Sequence, residues 1–316
     1  MAAEGGPMCP PRRSPRRRVD GVLLLDKPAG LSSNAALQRA KRLYAAEKAG
    51  HTGTLDPLAT GLLPLCFGDA TKFAQVLLDA AKEYVATVHF GAATTTGDAE
   101  GEILRTSDAS FSRSDLESTL RSFVGPIVQI PPVYAALKLR GRPYYEYARA
   151  GIDIPRAPRT VEIAAIELVE WSPPRATLRV ACGKGTYIRV LAEDIAAALG
   201  SCAHLAALRR TVSGPFALNG AVTLSALEAM DTAARDALLL PPDAPLSLVA
   251  RLDVDAPTAL ALTQGRTPAA PVEAHGTFRC YGPVGRFVGL VEATGASLRP
   301  LRLARTDALS GKALDS

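Results

Sequence analysis

Several things are scarce in this sequence, and each scarcity excludes a class of protein. The five cysteines, Cys9, Cys66, Cys182, Cys202 and Cys280, are odd in number, scattered, and form no CxxC pair. That argues against a disulfide framework or a zinc knuckle and favours a reducing compartment. The four histidines stand apart with no HxxxH spacing, so no metal site is expected. Apolar runs are short and broken by Gly, Pro or charge, so no membrane-spanning segment is expected. The opening stretch, MAAEGGPMCPPRRSPRRRVD, carries arginines but no apolar core, so it does not read as a secretory signal. A cytoplasmic protein is the expectation. Charge imbalance is also scarce outside that stretch: of the net +5, residues 1–20 supply +3 and the remaining chain only +2. Residues 1–19 are expected to be a solvated, disordered basic arm, a composition suited to a polyanion such as nucleic acid.

What is present reads as a folded chain with an uneven rhythm. Gly21–Asp26 has the apolar run of a strand, and Ser32 or Ser33 is placed to cap a helix with apolar residues at Leu37, Ala40, Leu43 and Tyr44. Glu83–Phe90, Val161–Trp171, Ala176–Cys182 and Leu205–Val212 read as strands. Helices are expected over Ser114–Val124, Thr186–Leu199 (ending at Gly200) and Ser225–Leu239. Strands and helices do not alternate as regular βαβ units, which predicts an α+β fold with a mixed, mostly antiparallel sheet. Leu240–Ser247 reads as a linker, and the pieces beyond it as a small β-rich domain.

Three stretches carry candidate chemistry. The first is GHTGTLDPLATG, Gly50–Gly61. Asp56 is the only formal charge between Ala49 and Gly68. Asp-Pro is a helix-start signal, so one expectation is an N-cap with a short helix running from Pro57 to Gly61 or Pro64. The other is a nucleophile or general base, since a carboxylate fixed among apolar neighbours is poorly solvated and needs a compensating cation. The second stretch, Cys182–Arg189, offers two such cations, Lys184 between glycines and Arg189 early in a predicted helix; as an ordinary turn and a surface arginine they need no function. The third is YAALKLRGRPYYEYARAGIDIPRAPR, Tyr134–Arg159, where four of the eight tyrosines are interleaved with basic residues. Rings for stacking and cations for phosphates suit single-stranded or looped RNA; a surface loop and helix burying their tyrosines is the alternative. Thr94–Gly101 lacks the acidic spacing of a calcium loop and reads as a turn.

Taken in order, these stretches resemble the TruB family of tRNA pseudouridine synthases. The resemblance is carried by GVLLLDKPAGLSSN, AGHTGTLDPLATGLLPLCFGDATK, KEYVATVHFG, IPPVYAALKLRGRPYYEYARAG, GKGTYIRVLAEDI and HLAALRRTVSGPF, which cover most of the chain. It implies a catalytic domain of the pseudouridine synthase type over 20–245, with an RNA-clamping insertion at about 132–160, and a PUA-like RNA-binding domain over 248–316. It implies that Asp56 is the essential catalytic residue. Tyr84 matches the tyrosine that packs on the target base, and Arg189 the arginine that pairs with the catalytic carboxylate. Tyr187 and Leu208 match residues of the base pocket. His51 matches an RNA-positioning histidine, and Lys138, Arg140, Arg142, Tyr144 and Arg149 fall in the clamp. Lys27 and Pro28 match an architectural motif. Thr95 and Gly183 depart from the family pattern, where many relatives carry Asp and Ser.

The implied reaction is isomerisation of the uridine at position 55 in the TΨC loop of tRNA. The N1–C1′ bond breaks, the uracil turns, and C5 rejoins C1′. No redox change or hydrolysis occurs, so neither cofactor nor metal is expected, and no obligate protein partner. Asp56 has three routes open to it: attack at C6, attack at C1′, or assistance to a glycal intermediate. An RNA-folding chaperone with an idle pocket is the alternative function, and only the set Asp56, Tyr84 and Arg189 argues against it.

Overall fold

The computed structural model describes residues 16–305. In chain order the first half contains β1 (Gly21–Lys27), α1 (Ser33–Leu43), β2 (Ala49–His51), β3 (Thr60–Phe67), α2 (Ala74–Asp79), β4 (Lys82–Phe90), β5 (Ala92–Thr94), β6 (Ile103–Thr106), α3 (Arg113–Ser122) and β7 (Gly125–Gln129). There follow β8 (Lys138–Leu139), β9 (Arg142–Pro143), α4 (Tyr144–Arg149), β10 (Arg159–Ser172), β11 (Arg175–Cys182), α5 (Ile188–Ala198), β12 (Ala203–Ser213), β13 (Phe216–Ala217), β14 (Val222–Thr223), α6 (Leu224–Ala229) and α7 (Thr232–Ala237). The C-terminal part holds β15 (Arg251–Asp253), α8 (Ala256–Thr263), β16 (Ala269–Gly282) and β17 (Arg286–Leu303).

One ten-stranded sheet organises the chain, in the order β14-β1-β3-β12-β4-β11-β10-β7, with β2 on β3 and β13 on β12. Only β1–β14 and β3–β12 run parallel; the sheet is mixed and mostly antiparallel, as expected. Its centre is buried on both faces. In β3, Leu63, Leu65 and Phe67 enter the main core with α1 and α5, while Leu62 and Cys66 pack on the other side with Val22, Leu77 and Phe216. Alternate side chains pointing to opposite faces, both apolar, give the continuous run LLPLCF. The sequence reading placed no strand there, because Gly61 and Pro64 punctuate it.

Other expectations are corrected by local capping. The helix expected over Ser225–Leu239 is two short ones. Met230 is extended, and Asp231 caps the second helix by accepting from Ala234 N at 2.8 Å. No helix follows Asp56-Pro57; a single turn, Ala59 N to Asp56 O at 3.1 Å, is all that forms. Helix α8 was not anticipated; Asp255 caps it, and only Ala259 and Leu262 are buried, too little periodicity to read. Of the arm expected over 1–19, residues 1–15 lie outside the described residues. Its last residues belong to the fold: Val19 is buried in the main core, and Arg17 forms an ion pair with Asp236.

Leu240–Ser247, expected to be a linker, is docked. Leu240 and Val22 exchange backbone hydrogen bonds at 2.9 Å, and Leu246 is buried with Phe73 and Leu290. The β-rich C-terminal part, a three-stranded sheet β15-β16-β17 with α8 against it, therefore meets the start of α2 through an apolar contact. Phe73 and Phe287 pack edge-on at 5.2 Å, and Lys72 Nζ donates to Leu303 O at 3.1 Å.

Because Leu65 lies at the sheet centre with no exposed surface, Leu65→Ala is expected to lower stability by about 2–5 kcal/mol. Urea unfolding monitored by circular dichroism measures this directly.

Candidate active site

The loop between β2 and β3 presents Asp56, and it is fastened on both sides of that residue. Before it, Leu55 N donates to Ser33 Oγ at 2.7 Å, and Ser33 Oγ donates to Leu55 O at 3.0 Å. After it, Pro57 O accepts from Gly30 N at 2.9 Å and from Lys27 Nζ at 3.4 Å. Lys27 also donates to Pro28 O at 2.8 Å and Leu31 O at 2.6 Å, and its side chain is fully buried. Burial pushes the Lys27 ammonium down to about 8, and the charge of Asp56 opposes that fall. The segment from β1 to α1 is thus a bracket for the loop.

Arg189 supplies the cation. It stands in the first turn of α5, whose residues Leu191, Ala192, Ile195 and Ala196 are buried in the main core. Its Nε lies 3.0 Å from Asp56 Oδ2, with side-chain exposures of 7% for Arg189 and 38% for Asp56. Its Nη1 donates to Thr96 O at 2.8 Å and its Nη2 to Tyr134 O at 2.7 Å. The guanidinium fork is therefore aimed by two backbone carbonyls before any substrate arrives. Burial raises the Asp56 carboxyl above its usual range; Arg189 limits the rise, and Asp98 adds to it. Helix α5 is itself tied down at its start, where Gln129 Nε2 donates to Tyr187 O at 3.2 Å and Tyr187 N donates to Gln129 Oε1 at 3.0 Å.

A cavity of about 340 Å³ opens over this pair, within the roughly 300–1,000 Å³ usual for small-ligand sites. Tyr84 of β4, Leu208 of β12 and Tyr187 share its wall with Asp56 and Arg189. The structure thus gathers Asp56, Tyr84, Tyr187, Arg189 and Leu208 in one place. Lys184, the other cation considered, lies outside this pairing and bonds Asp79 at 2.9 Å on the surface. Lys82 and Arg210 also line the cavity, and neither was singled out from the sequence. Lys82 Nζ donates to Leu77 O, Leu78 O and Ala80 O at 3.0, 2.7 and 2.6 Å. One signal for Arg210 was available: two residues along a strand from Leu208, it shares that residue's face. The carbonyl acceptors Thr96 and Tyr134 had none, because any residue type provides one.

The remaining sequence-derived residues lie away from the carboxylate. His51 ends β2, outside the cavity wall; burial, with Arg210 nearby, pushes its pKa down, so it favours the neutral form. In the insertion, β8 and β9 form a hairpin whose turn residues Arg140 and Gly141 have left-handed φ, +51° and +82°. Lys138, Arg140 and Arg149 are exposed. Arg142 stacks over the Tyr147 ring at 4.6 Å and pairs with Glu146, and Arg149 lies 5.5 Å from the Tyr145 ring. Tyr144, expected among the RNA contacts, is 8% exposed at the start of α4 and lines a separate cavity with Val133 and Ile152. Tyr134 and Leu137 carry the insertion to the rim of the Asp56 cavity. The Thr94–Gly101 turn is closed by Asp98, which accepts from Thr96 Oγ1 at 2.6 Å and Glu100 N at 3.1 Å. Among the described residues no group of three or more His, Cys, Asp or Glu could hold a metal ion, and no helix is long and apolar enough to cross a membrane.

Comparisons with known proteins give the chain its relatives. The profile for "TruB family pseudouridylate synthase (N terminal domain)" matches residues 41–188, and that for "tRNA pseudouridylate synthase B C-terminal domain" matches residues 189–247. The second match contains β12, so both contribute to the same central sheet. A tRNA pseudouridine synthase B of Thiobacillus denitrificans is 53% identical over 92% of this chain and 98% of its own length. One of Burkholderia mallei is 54% identical over 95% of this chain and 98% of its own. Among solved structures, a Cbf5-Nop10-Gar1 complex superposes with a TM-score of 0.70 at 27% identity, covering 90% of this chain and 84% of the other. An H/ACA RNP bound to a substrate RNA containing 2′-deoxyuridine gives 0.68 at 25% identity, covering 90% and 85%. The central mixed sheet and these relatives define a pseudouridine synthase. Within that class the chain belongs to the TruB family.

Replacing Arg189 removes the group that keeps Asp56 ionised. The rate should fall on its acid side as Asp56 takes a proton, above the ordinary value of 3.8 because burial raises its pKa. Arg189→Met is expected to move that acid limb to higher pH and to lower the plateau by about 100-fold. A single-turnover pH profile checks both; an unmoved limb would separate Arg189 from the state of Asp56.

Proposed function

We propose that this protein converts uridine 55 of the TΨC loop of tRNA to pseudouridine in the cytoplasm, with Asp56 as the essential residue. The observation that carries the reading is the Arg189–Asp56 pair, 3.0 Å apart, on the wall of a cavity shared with Tyr84. The relatives at 53–54% identity, matched over nearly their whole length, support tRNA as the substrate.

In this reading the target uridine is flipped out of its loop, at a cost of a few kcal/mol. Stacking on Tyr84 returns roughly 1–3 kcal/mol of that. Phosphate contacts from Lys138, Arg140 and Arg149 on the insertion add affinity that falls with salt. Once the uridine is seated, the Asp56 carboxylate acts on it, and Arg189 holds the carboxylate ionised and aimed. When N1–C1′ breaks, the electron pair departs with the uracil. The ring turns within the cavity, C5 bonds to C1′, the C5 proton leaves to solvent, and N1 takes up a proton, so that product and substrate are isomers. Leu208 and Tyr84 keep water from the separated ribose, which would otherwise be hydrolysed. The insertion over about 132–160 closes on the T-loop, and the C-terminal PUA-like part over 248–316 reaches the acceptor end.

The test uses T-arm stem-loop and full-length tRNA carrying tritium at C5 of their uridines. Wild type is expected to release tritium from the T-loop uridine. Asp56→Asn is expected to release none while binding tRNA within about tenfold of wild type. Binding without release by wild type on either RNA would instead support a tRNA-folding chaperone. Tyr84→Leu is expected to lose far more rate than Tyr84→Phe, because the ring face does the stacking. Equal losses in the same assay would assign the role to the hydroxyl.

A further inference from the structure

The two glycines that bracket Asp56 share one neighbour. Gly53 and Gly61 both have φ of +97°, a conformation that favours glycine. A Cβ on Gly61 would lie 2.3 Å from the carbonyl oxygen and 2.9 Å from the amide nitrogen of Arg210. A Cβ on Gly53 would lie 3.3 Å from Arg210 Nη1. The loop therefore leaves β2 and enters β3 while closing on Arg210 at both ends.

Arg210 is also where three strands meet. On β12 it is paired with Gly61 of β3 on one side and with Tyr84 of β4 on the other. Its side chain, 1% exposed, is among the largest fully buried ones. Nε donates to Leu62 O at 2.7 Å and Nη2 to Gly53 O at 3.2 Å. Among the described residues no carboxylate pairs with it, whereas its neighbour Arg209 is bonded to Asp26 at 2.7 Å. A buried guanidinium without a counter-ion is costly, and an apolar side chain would fill the space more favourably. What a guanidinium does that an apolar chain cannot is hold two carbonyls on different segments at fixed directions.

We propose that Arg210 is a positioning residue for the isomerisation. Its guanidinium fixes the Gly53 carbonyl, and with it the loop bearing Asp56, in register with Tyr84, so that carboxylate and stacking ring grip one base. Lys27 and Ser33 hold the loop at Pro57 and Leu55, and Arg210 holds it at Gly53 from β12. The inference rests on the proposed function, because a register between Asp56 and Tyr84 matters only if both act on the same uracil.

The test compares wild type, Arg210→Met and Arg210→Lys in single-turnover tritium release from tRNA, with rates expressed per folded molecule, alongside tRNA affinity and thermal unfolding. Arg210→Met keeps the bulk and removes the fork. It is expected to lose about 100-fold in rate with tRNA affinity within about threefold of wild type, the pattern of a displaced catalytic group. Arg210→Lys, which can keep one of the two carbonyl bonds, is expected to recover about tenfold over the Met variant. A purely structural role would lower the melting temperature and the folded fraction and leave the rate per folded molecule unchanged, and that result overturns the proposal. If Arg210→Met does not fold, Arg210→Lys decides alone: reduced rate at unchanged affinity supports positioning, and wild-type rate overturns it. Wild type that releases no tritium would sink the proposed function itself. An active wild type with an unimpaired Arg210→Met would sink only this inference.

Discussion

The Asp56 carboxylate is held as an ion pair because Arg189 reaches it from the first turn of α5, 3.0 Å away. Water would otherwise have to solvate the charge, and a wet cavity would hydrolyse a separated ribose. The pairing makes its own demands. A buried guanidinium must find acceptors for its other nitrogens, and here Thr96 O and Tyr134 O provide them. Those carbonyls come from the β5–β6 turn and from the edge of the insertion. One ion pair thereby binds together the Asp56 loop, helix α5, a turn and the insertion.

The loop has the complementary problem of holding a carboxylate steady without regular secondary structure around it. Its solution is to pin the residue on either side rather than Asp56 itself. Ser33 takes Leu55, while Lys27 and Gly30 take Pro57. Asp56 keeps its side chain for Arg189. The buried cations Lys27 and Lys82 are saturated by carbonyls and act as struts, with burial lowering each to about 8.

The insertion and the C-terminal part are built differently. The insertion is a short hairpin and helix whose aromatic rings are partly engaged by its own arginines. It touches the cavity rim through Tyr134 and Leu137. Such an element has little core of its own, so Tyr144 is needed inside it. The C-terminal sheet, by contrast, is fixed to the catalytic domain by Phe73, Leu246, Phe287 and Leu290 and by the bonds from Lys72 and Arg305.

Much of the fold and most of the site could be read in the residues. Period-two and helical apolar patterns gave β1, β4, β10, β11, β12, α1, α3 and α5, because those elements each bury a face whose spacing is local. Asp56 stood out because it was alone among apolar residues and glycines, and resemblance to the TruB family joined it to Tyr84, Tyr187, Arg189 and Leu208. The strand β3 was missed because it is buried on both faces and interrupted by Gly61 and Pro64, so it has no alternation to read. Asp56 reads also as a helix cap, and its local sequence fits one. Only the tertiary structure decided against it, since Lys27 and Ser33 hold the backbone out of a helix and Arg189 claims the carboxylate. The same holds for Lys184 against Arg189, for the burial of Tyr144, and for Arg210. Partner choice among cations, and the carbonyls that aim them, depends on distances between segments far apart in the chain. Local composition fixed which residues were capable of the chemistry, and the packing of the sheet selected which of them meet.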